Sequence, residues 1–347
     1  MITMKRSLVT ALILVMVCAA LSVYAAEKPD GAGSPLPVKV LILPKFEIGD
    51  MSGDFPGEAQ YYYEEYLRDA EAYDVPHGVP GTKLYYRDGA ALCVLGMGKV
   101  NAALTTMAVL SDARFDYSQA RILSTGCAGS AAETTVMGDV FLITAAVDYD
   151  LGHHADGRDL KDPEGTAWFR DADFDDAAVI VLDRELTGKA YALVKDTPVQ
   201  TTERTRDYMR RAFDGAGWAV RDPLVLTGTT VTADNYWKGP HGHANALLMT
   251  ETYGCPDPYA TTEMEEIAVA RAAQRMGVLD RLIVIRGSVN MDVFMHGATP
   301  ETLWDGADAM TLADEDSVEA ADIFAVSMKN TFDVGRIIID SILSGGL

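Results

Sequence analysis

The sequence predicts an α/β domain built on a mostly parallel β-sheet. Three observations support this prediction: short apolar runs recur along the chain, helical patterns lie between several of them, and 48% of the residues are hydrophobic. Strands that alternate with helices are typical of sheets with helices on both faces. The 347 residues show no internal repeat, so one large domain is expected.

The predicted strands are short apolar runs, of which the first, 38–43, has the composition of a strand buried on both faces. The others are 90–95, 121–124, 140–145, 223–227 and 282–286. Helical patterns occupy 57–70, 100–111, 202–213, 262–276 and 317–344. The polar stretch 148–180 is predicted to be a long loop over one edge of the sheet.

Residues 1–26 have the layout of a secretory signal peptide. Lys5 and Arg6 precede an apolar run over 8–21, and small residues follow, so that cleavage is expected after Ala25 or Ala26. A membrane anchor is the alternative, but the run is short for a bilayer span of about 20 residues. Residues 27–37 are predicted to be a flexible linker and 38–347 a single domain.

Lipid attachment at Cys18 is the other alternative, and Val17 before it is bulkier than such sites usually carry. We therefore expect a protein secreted across the inner membrane, in the periplasm or outside the cell. No later segment is long and apolar enough to cross a bilayer.

The formal net charge is −22, and it becomes −24 once Lys5 and Arg6 are removed with the signal peptide. Such a surface repels nucleic acid and anionic lipid, which excludes a nucleic-acid polymer as a partner but not a single nucleoside. The cysteines after the signal peptide have neither disulfide nor zinc spacing. No metal site is predicted, because the polar residues after 140–145 match no ligand spacing.

Ligands of such sheets bind beyond the carboxyl ends of the strands, and several of these positions carry small or polar residues. Gly96 and Gly98 follow one strand and permit a tight turn before a helix. The stretch 125–130, TGCAGS, follows another and would allow close approach of a ligand. Tyr236 and Trp237 follow a third and could form a flat slot for a planar heterocycle.

Two further strand ends carry carboxylates. At the first, Thr262 and Glu265 fit a capping box that would close the free amides of a helix beginning there. That alternative explains Glu265 without a ligand, but it leaves Glu263 unexplained. At the second, Asn290 and Asp292 could form a hydrogen-bonding end wall or an ordinary turn.

Six segments, GMGKVNAA, STGCAGS, MGDVFLIT, TADNYW, TEMEEIA and VIRGSVN, occur in this order. Together they resemble the successive motifs of nucleoside phosphorylases and methylthioadenosine nucleosidases. The signal peptide, LPKFEIGDMSGDFPGEAQYYYE and the DNYWKG and SVNMD variants are more similar to the purine nucleoside permease family. The resemblance covers about 38–345. It implies a phosphorylase-like three-layer α/β sandwich with a mixed central β-sheet flanked by helices.

The resemblance also implies roles for site residues. Glu265 would accept hydrogen bonds from the ribose hydroxyls, for which a carboxylate is well suited. Met264 would pack beneath the sugar, and Glu263 is predicted to be a further substrate-binding residue. Tyr236 would stack on the base, with the main chain near Trp237 at the base edge.

The side of the sugar from which a nucleophile would attack would be lined by Thr125, Gly126 and Cys127, together with the turn at Gly98. Asn290 stands where many relatives have Asp; an amide cannot act as a general acid, but it can bond N7 and O6 of a 6-oxopurine. Asp292 could supply the acid instead.

Phosphate as a co-substrate is in doubt, because the only nearby cations expected are Lys45 and Lys99. No other cofactor is expected.

Three functions follow. The first is an exported protein that binds purine nucleosides for uptake, itself not membrane-spanning, with an unidentified membrane transporter partner. The second is an exported enzyme that cleaves the N-ribosyl bond with water or phosphate. The third, a structural protein that has lost the site, fits least, because the site-type residues are complete. Homo-oligomerisation is left open by the sequence.

Overall fold

The computed structural model describes residues 34–161, 165–213, 221–297 and 315–347. Residues 36–347 form one compact unit. The predicted signal peptide and residues 27–33 of the predicted linker lie outside the described residues. None of the helices in the described ranges combines the length and the apolar character that a membrane span requires.

The strands, in chain order, are β1 Leu36–Pro37, β2 Val40–Leu43, β3 Glu71–Asp74, β4 Lys83–Arg87, β5 Ala90–Cys93, β6 Phe115–Asp116, β7 Arg121–Ser130, β8 Val140–Asp148, β9 His153–His154, β10 Trp168–Phe169, β11 Val179–Val181, β12 Val225–Thr232, β13 Tyr259–Glu263 and β14 Leu282–Met291. The α-helices are α1 Gln60–Tyr62, which continues as a π-helix over Tyr63–Leu67, α2 Lys99–Leu110, α3 Asp175–Ala178, α4 Arg184–Val194, α5 Glu203–Phe213, α6 Pro240–Thr252, α7 Glu266–Arg275 and α8 Glu315–Leu343.

Ten of the described strands form one mixed sheet, in the order β11-β8-β12-β13-β7-β2-β5-β4-β3, with β14 paired to both β7 and β8. The pairs β2–β5, β2–β7, β7–β14, β8–β12 and β12–β13 are parallel. The pairs β3–β4, β4–β5, β7–β13, β8–β11 and β8–β14 are antiparallel. Strands β7, β14, β8, β12 and β13 thus form a closed circuit.

Helices cover both faces of this sheet, because its central strands are apolar on both sides. In β2, Leu41 and Leu43 pack into a core that includes residues of α2 and α7. Val40 and Ile42 point to the opposite core, which includes residues of α4 and α8. Successive residues of a strand face opposite sides, so a four-residue apolar run supplies both layers. The predicted fold class, a mixed central sheet flanked by helices, is confirmed.

Three predicted boundaries are wrong, and in each case sheet pairing explains the difference. The stretch 125–130 is not a turn but the second half of β7, which pairs with β14 along its length. Likewise β14 continues to Met291. The helix predicted from 262 begins at Glu266, because Thr261 and Thr262 belong to β13 and pair with Ser130 and Gly129.

Candidate active site

Glu265 lies between the end of β13 and the start of α7, and its side chain turns toward the loop after β5. Its Oε1 accepts a hydrogen bond from the Gly98 amide at 3.0 Å. Gly98 has a φ of 86° immediately before α2, a conformation that favours glycine. Glu265 is only 4% exposed. Its Oε2 accepts no hydrogen bond from the described residues; the nearest cation, Arg286 Nη1, is 3.8 Å away.

Glu263 performs the helix capping that the sequence assigned to Thr262 and Glu265. Its Oε2 accepts hydrogen bonds from the Glu265 and Glu266 amides, both at 2.7 Å. Its Oε1 accepts one from the Thr232 hydroxyl at 2.5 Å. The Glu265 side chain makes no cap hydrogen bond to α7. The capping-box alternative is therefore wrong, and Glu263, which was predicted to bind substrate, instead satisfies the first free amides of the helix and pairs with Arg286.

Arg286 is the central cation of the site, and the sequence interpretation missed it. It is 1% exposed, and its Nη2 lies 3.0 Å from Glu263 Oε2 and 2.7 Å from Glu266 Oε2. Its Nη1 donates to the Cys127 carbonyl at 3.0 Å. The signal was present in the sequence: an arginine inside an apolar strand has to be paired with buried acids.

The two cations that the sequence suggested for phosphate binding, Lys45 and Lys99, both have polar partners within the chain. Lys45 Nζ donates to Leu43 O at 2.8 Å and to Ser124 Oγ at 2.6 Å, and lies 3.6 Å from Glu266. Lys99 Nζ lies 2.8 Å from Asp148 and 2.7 Å from Asp150.

A second residue that sequence reasoning missed is Glu58, which is 5% exposed. Its Oε1 accepts from the Cys127 amide and its Oε2 from the Lys45 amide, both at 2.7 Å. A Cβ at Gly126 would lie 2.6 Å from Glu58 Oε1 and 2.8 Å from Arg286 Nη1. The glycine is thus required by the close approach of two charged groups.

The buried cluster carries more acids than bases, and the pKa values reflect this. Burial raises the pKa of Glu265 to about 7, helped by the charges of Glu263 and Glu58 and opposed by Arg286. Burial alone would also raise the pKa of Glu266, but the charges of Lys45 and Arg286 bring it below its ordinary value. A buried carboxyl with such a raised pKa changes its charge near neutral pH.

The loop 233–239 crosses the site and is tied at both ends. At one end the Asp234 carboxylate accepts from the Lys99 amide at 2.8 Å. At the other, the Gly239 amide donates to the Asp292 carbonyl at 2.7 Å. Between them, Tyr236 is 60% exposed. The ring of Trp237 instead stacks on Tyr149, with centroids 5.1 Å apart.

At the end of β14, Asn290 lies over the small-residue segment of β7. A Cβ at Gly129 would be 3.0 Å from Asn290 Nδ2, and that amide donates to Met291 O at 3.2 Å.

Asp292 is 1% exposed, and its Oδ2 is 2.6 Å from the Tyr259 hydroxyl and 2.8 Å from His243 Nδ1. Burial would lower the pKa of His243, but its hydrogen bonds to Asp292 and Glu133 raise it to about 10.

The structure thus brings Gly98, Glu263, Glu265, Gly126 and Cys127 together with Glu58 and Arg286. Met264 is partly buried beside Glu265. Two other predicted residues make internal contacts: Thr125 is fully buried with its hydroxyl 3.2 Å from that of Tyr62, and Asp292 is enclosed as described above.

A cavity of about 380 Å³ is lined in part by Asp150, and its lining includes neither Glu265 nor Arg286. Its lining comprises Tyr149, Asp150, His154, Ala155, Gly157, Ala167, Asn235, His241 and Asn245. Within the described ranges, no three His, Cys, Asp or Glu side chains are arranged to hold a metal ion.

Residues 37–345 match the family model described as purine nucleoside permease. The chain belongs to the purine nucleoside permease family. A probable purine nucleoside permease of Schizosaccharomyces pombe is 26% identical over an alignment of 220 residues. The alignment covers 57% of this chain and 63% of that relative. The family assignment agrees with the resemblance drawn from the motifs.

Solved structures with the same fold include a nucleosidase and a hydrolase. The 5'-methylthioadenosine/S-adenosylhomocysteine nucleosidase of Neisseria meningitidis, in complex with methylthio-immucillin-A, has a TM-score of 0.52 at 17% identity. It covers 87% of this permease-family chain and 98% of its own. A futalosine hydrolase mutant of Helicobacter pylori has a TM-score of 0.53 at 14% identity, with coverage of 88% and 99%. At these identities the similarity establishes the fold.

Proposed function

We propose that this chain binds purine nucleosides, with Glu265 accepting hydrogen bonds from the ribose hydroxyls. The observation that carries the proposal is the state of this carboxylate. Glu263 already caps α7, so Glu265 is not needed there, and its Oε2 has no hydrogen bond from the described residues. A buried carboxylate with a free oxygen is a strong acceptor for a vicinal diol.

The remaining predicted residues complete the proposed pocket around this carboxylate. Met264 packs beneath the sugar, Gly98 and the segment 125–129 line it, and Tyr236 stacks on the purine. The main chain at Trp237 borders the base edge. Asn290 bonds the base, and the Asp292 carbonyl accepts a hydrogen bond from the Gly239 amide, which ties the loop that carries Tyr236 to the end of β14.

The biological role that we propose is capture of nucleosides for uptake by an exported protein. Residues 1–26 direct the chain across the inner membrane, the mature domain binds the nucleoside in the periplasm or outside the cell, and a membrane transporter receives it. The family supports this role, because its model carries the permease description.

The second candidate is hydrolysis of the N-ribosyl bond, and the charge of the site favours water over phosphate as the nucleophile. Four buried carboxylates, Glu58, Glu263, Glu265 and Glu266, surround two buried cations, Lys45 and Arg286. A phosphate dianion would add negative charge to a cluster that already has an excess. Glu265 would instead stabilise the positive charge that develops on the ribose.

The test is to incubate the mature protein with inosine, with and without inorganic phosphate, and to follow both binding and product. Unchanged inosine bound stoichiometrically supports the carrier. Free hypoxanthine without phosphate supports the hydrolase. Release that requires phosphate would contradict the charge argument. Neither binding nor cleavage of inosine, guanosine or adenosine would overturn the proposed function.

A further inference from the structure

His243 lies in the first turn of α6 and is held between two carboxylates. It is 7% exposed, and its Nδ1 lies 2.8 Å from Asp292 Oδ2. Its Nε2 lies 2.7 Å from Glu133 Oε1. A neutral imidazole would turn a lone pair toward one of these carboxylates, whereas the doubly protonated ring carries a hydrogen on both nitrogens. The geometry therefore favours the charged form of His243.

Asp292, the partner of His243 at the end of β14, is itself fixed by three further contacts. Its Oδ2 also accepts a hydrogen bond from the Tyr259 hydroxyl at 2.6 Å. Its amide donates to the Ser130 carbonyl at 3.0 Å, and its carbonyl accepts from the Gly239 amide at 2.7 Å. Because Tyr259 belongs to β13 and Ser130 to β7, the contact between His243 and Asp292 attaches α6 to strands of the central sheet.

The first turn of α6 also holds the loop that carries Tyr236. The His243 amide donates to the Gly239 carbonyl at 3.1 Å. A Cβ at Gly242 would lie 2.2 Å from Trp237 Cε3, so the helix backbone packs directly on that ring. Trp237 and Gly239 are the loop residues one and three positions after Tyr236. The position of α6 therefore sets where Tyr236 lies.

We propose that His243 is a positioning residue for the base of the bound nucleoside. It does not touch the ligand; it fixes α6 to Asp292, and through α6 it holds Tyr236 in place to stack on the purine. This inference rests on the proposed binding of purine nucleosides, in which Tyr236 stacks on the base and Glu265 binds the sugar. Loss of the His243 contact should therefore weaken the contribution of Tyr236 to binding and leave that of Glu265 intact.

The experiment measures the Kd for inosine by titration calorimetry in the unaltered chain and in double-mutant cycles. His243→Leu is made alone, with Tyr236→Ala and with Glu265→Gln. Alone, it should weaken inosine binding about 5- to 100-fold, the range expected for losing a base–aromatic stack. Combined with Tyr236→Ala, it should weaken binding less than about 2-fold further, whereas its effect should persist in full with Glu265→Gln.

Two conservative variants separate the Asp292 contact from the Glu133 contact. The amide nitrogen of asparagine can take the place of Nδ1, and that of glutamine the place of Nε2. His243→Asn should therefore retain inosine affinity within about 3-fold, and His243→Gln should lose about as much as His243→Leu. His153→Leu, at an exposed histidine of β9, is the matched control and should not change the Kd.

Equal weakening by His243→Leu in the unaltered, Tyr236→Ala and Glu265→Gln backgrounds would show a purely structural residue and overturn the inference, as would an unchanged Kd. The same Kd in His243→Asn and His243→Gln would also overturn it, and this comparison remains valid if His243→Leu does not fold. Absence of inosine binding in the unaltered chain would overturn the proposed function, and this inference with it.

Discussion

Glu263 and Glu265 stand two residues apart, yet they have different hydrogen-bond partners. Glu263 accepts from the amides that open α7 and pairs with Arg286. Glu265 reaches across to Gly98. One carboxylate therefore stabilises the fold, and the other is available to a ligand. This division allows the two roles to be tested separately.

We predict that Glu265→Gln weakens inosine binding about 10- to 100-fold and stabilises the free protein at pH 8 by roughly 1–3 kcal/mol. The affinity falls because a charged acceptor for the diol is lost. The stability rises because burial raises the pKa of Glu265 from 4.5 to about 7, so that at pH 8 the native state holds an unfavourable buried charge. Calorimetric binding and denaturant unfolding measure the two effects.

Glu251→Gln, on the surface of α6, is the control and should change neither quantity. Unaltered nucleoside affinity in Glu265→Gln would refute the sugar-binding role.

The same pKa predicts how stability and binding depend on pH. The unfolded state loses the Glu265 proton near pH 4.5 and the native state near pH 7, so this residue's contribution to stability is full below pH 4.5 and decreases up to about pH 7. Binding has the opposite dependence, because the ionised form accepts from the hydroxyls. We expect inosine affinity to be on the order of 100-fold weaker at pH 5 than at pH 8.

Titration calorimetry across this range checks the expectation, with Glu265→Gln as the variant that should lack the dependence. Affinity that is flat from pH 5 to pH 8 in the unaltered chain would contradict it.

We predict that Glu263→Gln lowers the free energy of unfolding, the opposite of the effect expected for Glu265→Gln. The change leaves Arg286 short of a buried partner and weakens the acceptor for two helix amides. Removing one member of a buried ion pair is strongly destabilising, and we expect a loss of about 3 kcal/mol. Denaturant unfolding measures it, with the exposed Glu185→Gln as the control. A change within about 0.5 kcal/mol would show that Glu263 is not a structural carboxylate.

The strand β7 contributes main-chain contacts to the proposed site as well as side chains to the core, because its second half consists mostly of small residues. Its main chain passes between Glu58 and Arg286 at Gly126, and its Cys127 amide and carbonyl contact both. The strand continues through this segment because β14 pairs with it on one side and β13 on the other. A regular strand thus forms the floor of the site.

Gly126→Ala is expected to destabilise the protein by about 1–3 kcal/mol, because the new methyl group would displace Glu58 or Arg286. Gly188→Ala is the matched control: a Cβ at that helical position has open space, and alanine is the better helix former there. Thermal unfolding of the two variants provides the comparison. If Gly126→Ala melts at the same temperature as the unaltered chain, the contact is not close in solution.

At the scale of the whole molecule, residues 1–26 are the proposed export signal. We predict that the protein, expressed with residues 1–26 in a bacterial host, is recovered outside the cytoplasm with a new N-terminus at Ala26 or Glu27. N-terminal sequencing of the fractionated protein measures this. Recovery of the intact chain in the cytoplasmic or membrane fraction would argue against a cleaved signal. A variant with Leu12→Arg and Leu14→Arg in the apolar run should stay in the cytoplasm.

Much of the fold could be predicted because its signals are local. Apolar runs marked β2, β5, β8, β12 and β14, and the α/β class follows from their alternation with helices. The hairpin of β3 and β4 was not predicted, because its residues are mostly polar and half-exposed. The last two residues of β13, Thr262 and Glu263, were assigned to a helix, because Thr262 and Glu265 satisfy a local capping pattern that sheet pairing overrides.

The residues of the proposed site were chosen from strand-end positions and motif order, and those cues are present in the chain alone. The hydrogen-bond partners of these residues cannot be identified from the sequence alone. Gly98 and Glu265 are 167 positions apart, and Glu58 and Cys127 are 69 apart.

Periodicity and composition predict the α/β class, and the order of the six motifs indicates the family, since each of these signals is carried by neighbouring residues. Only the folded chain decides that Glu263 caps the helix and that Arg286 holds the acids together. It also leaves Glu265 Oε2 without a hydrogen bond from any residue in the described ranges. The physical reason is that buried charges take their partners from whatever the sheet brings beside them, regardless of distance along the chain.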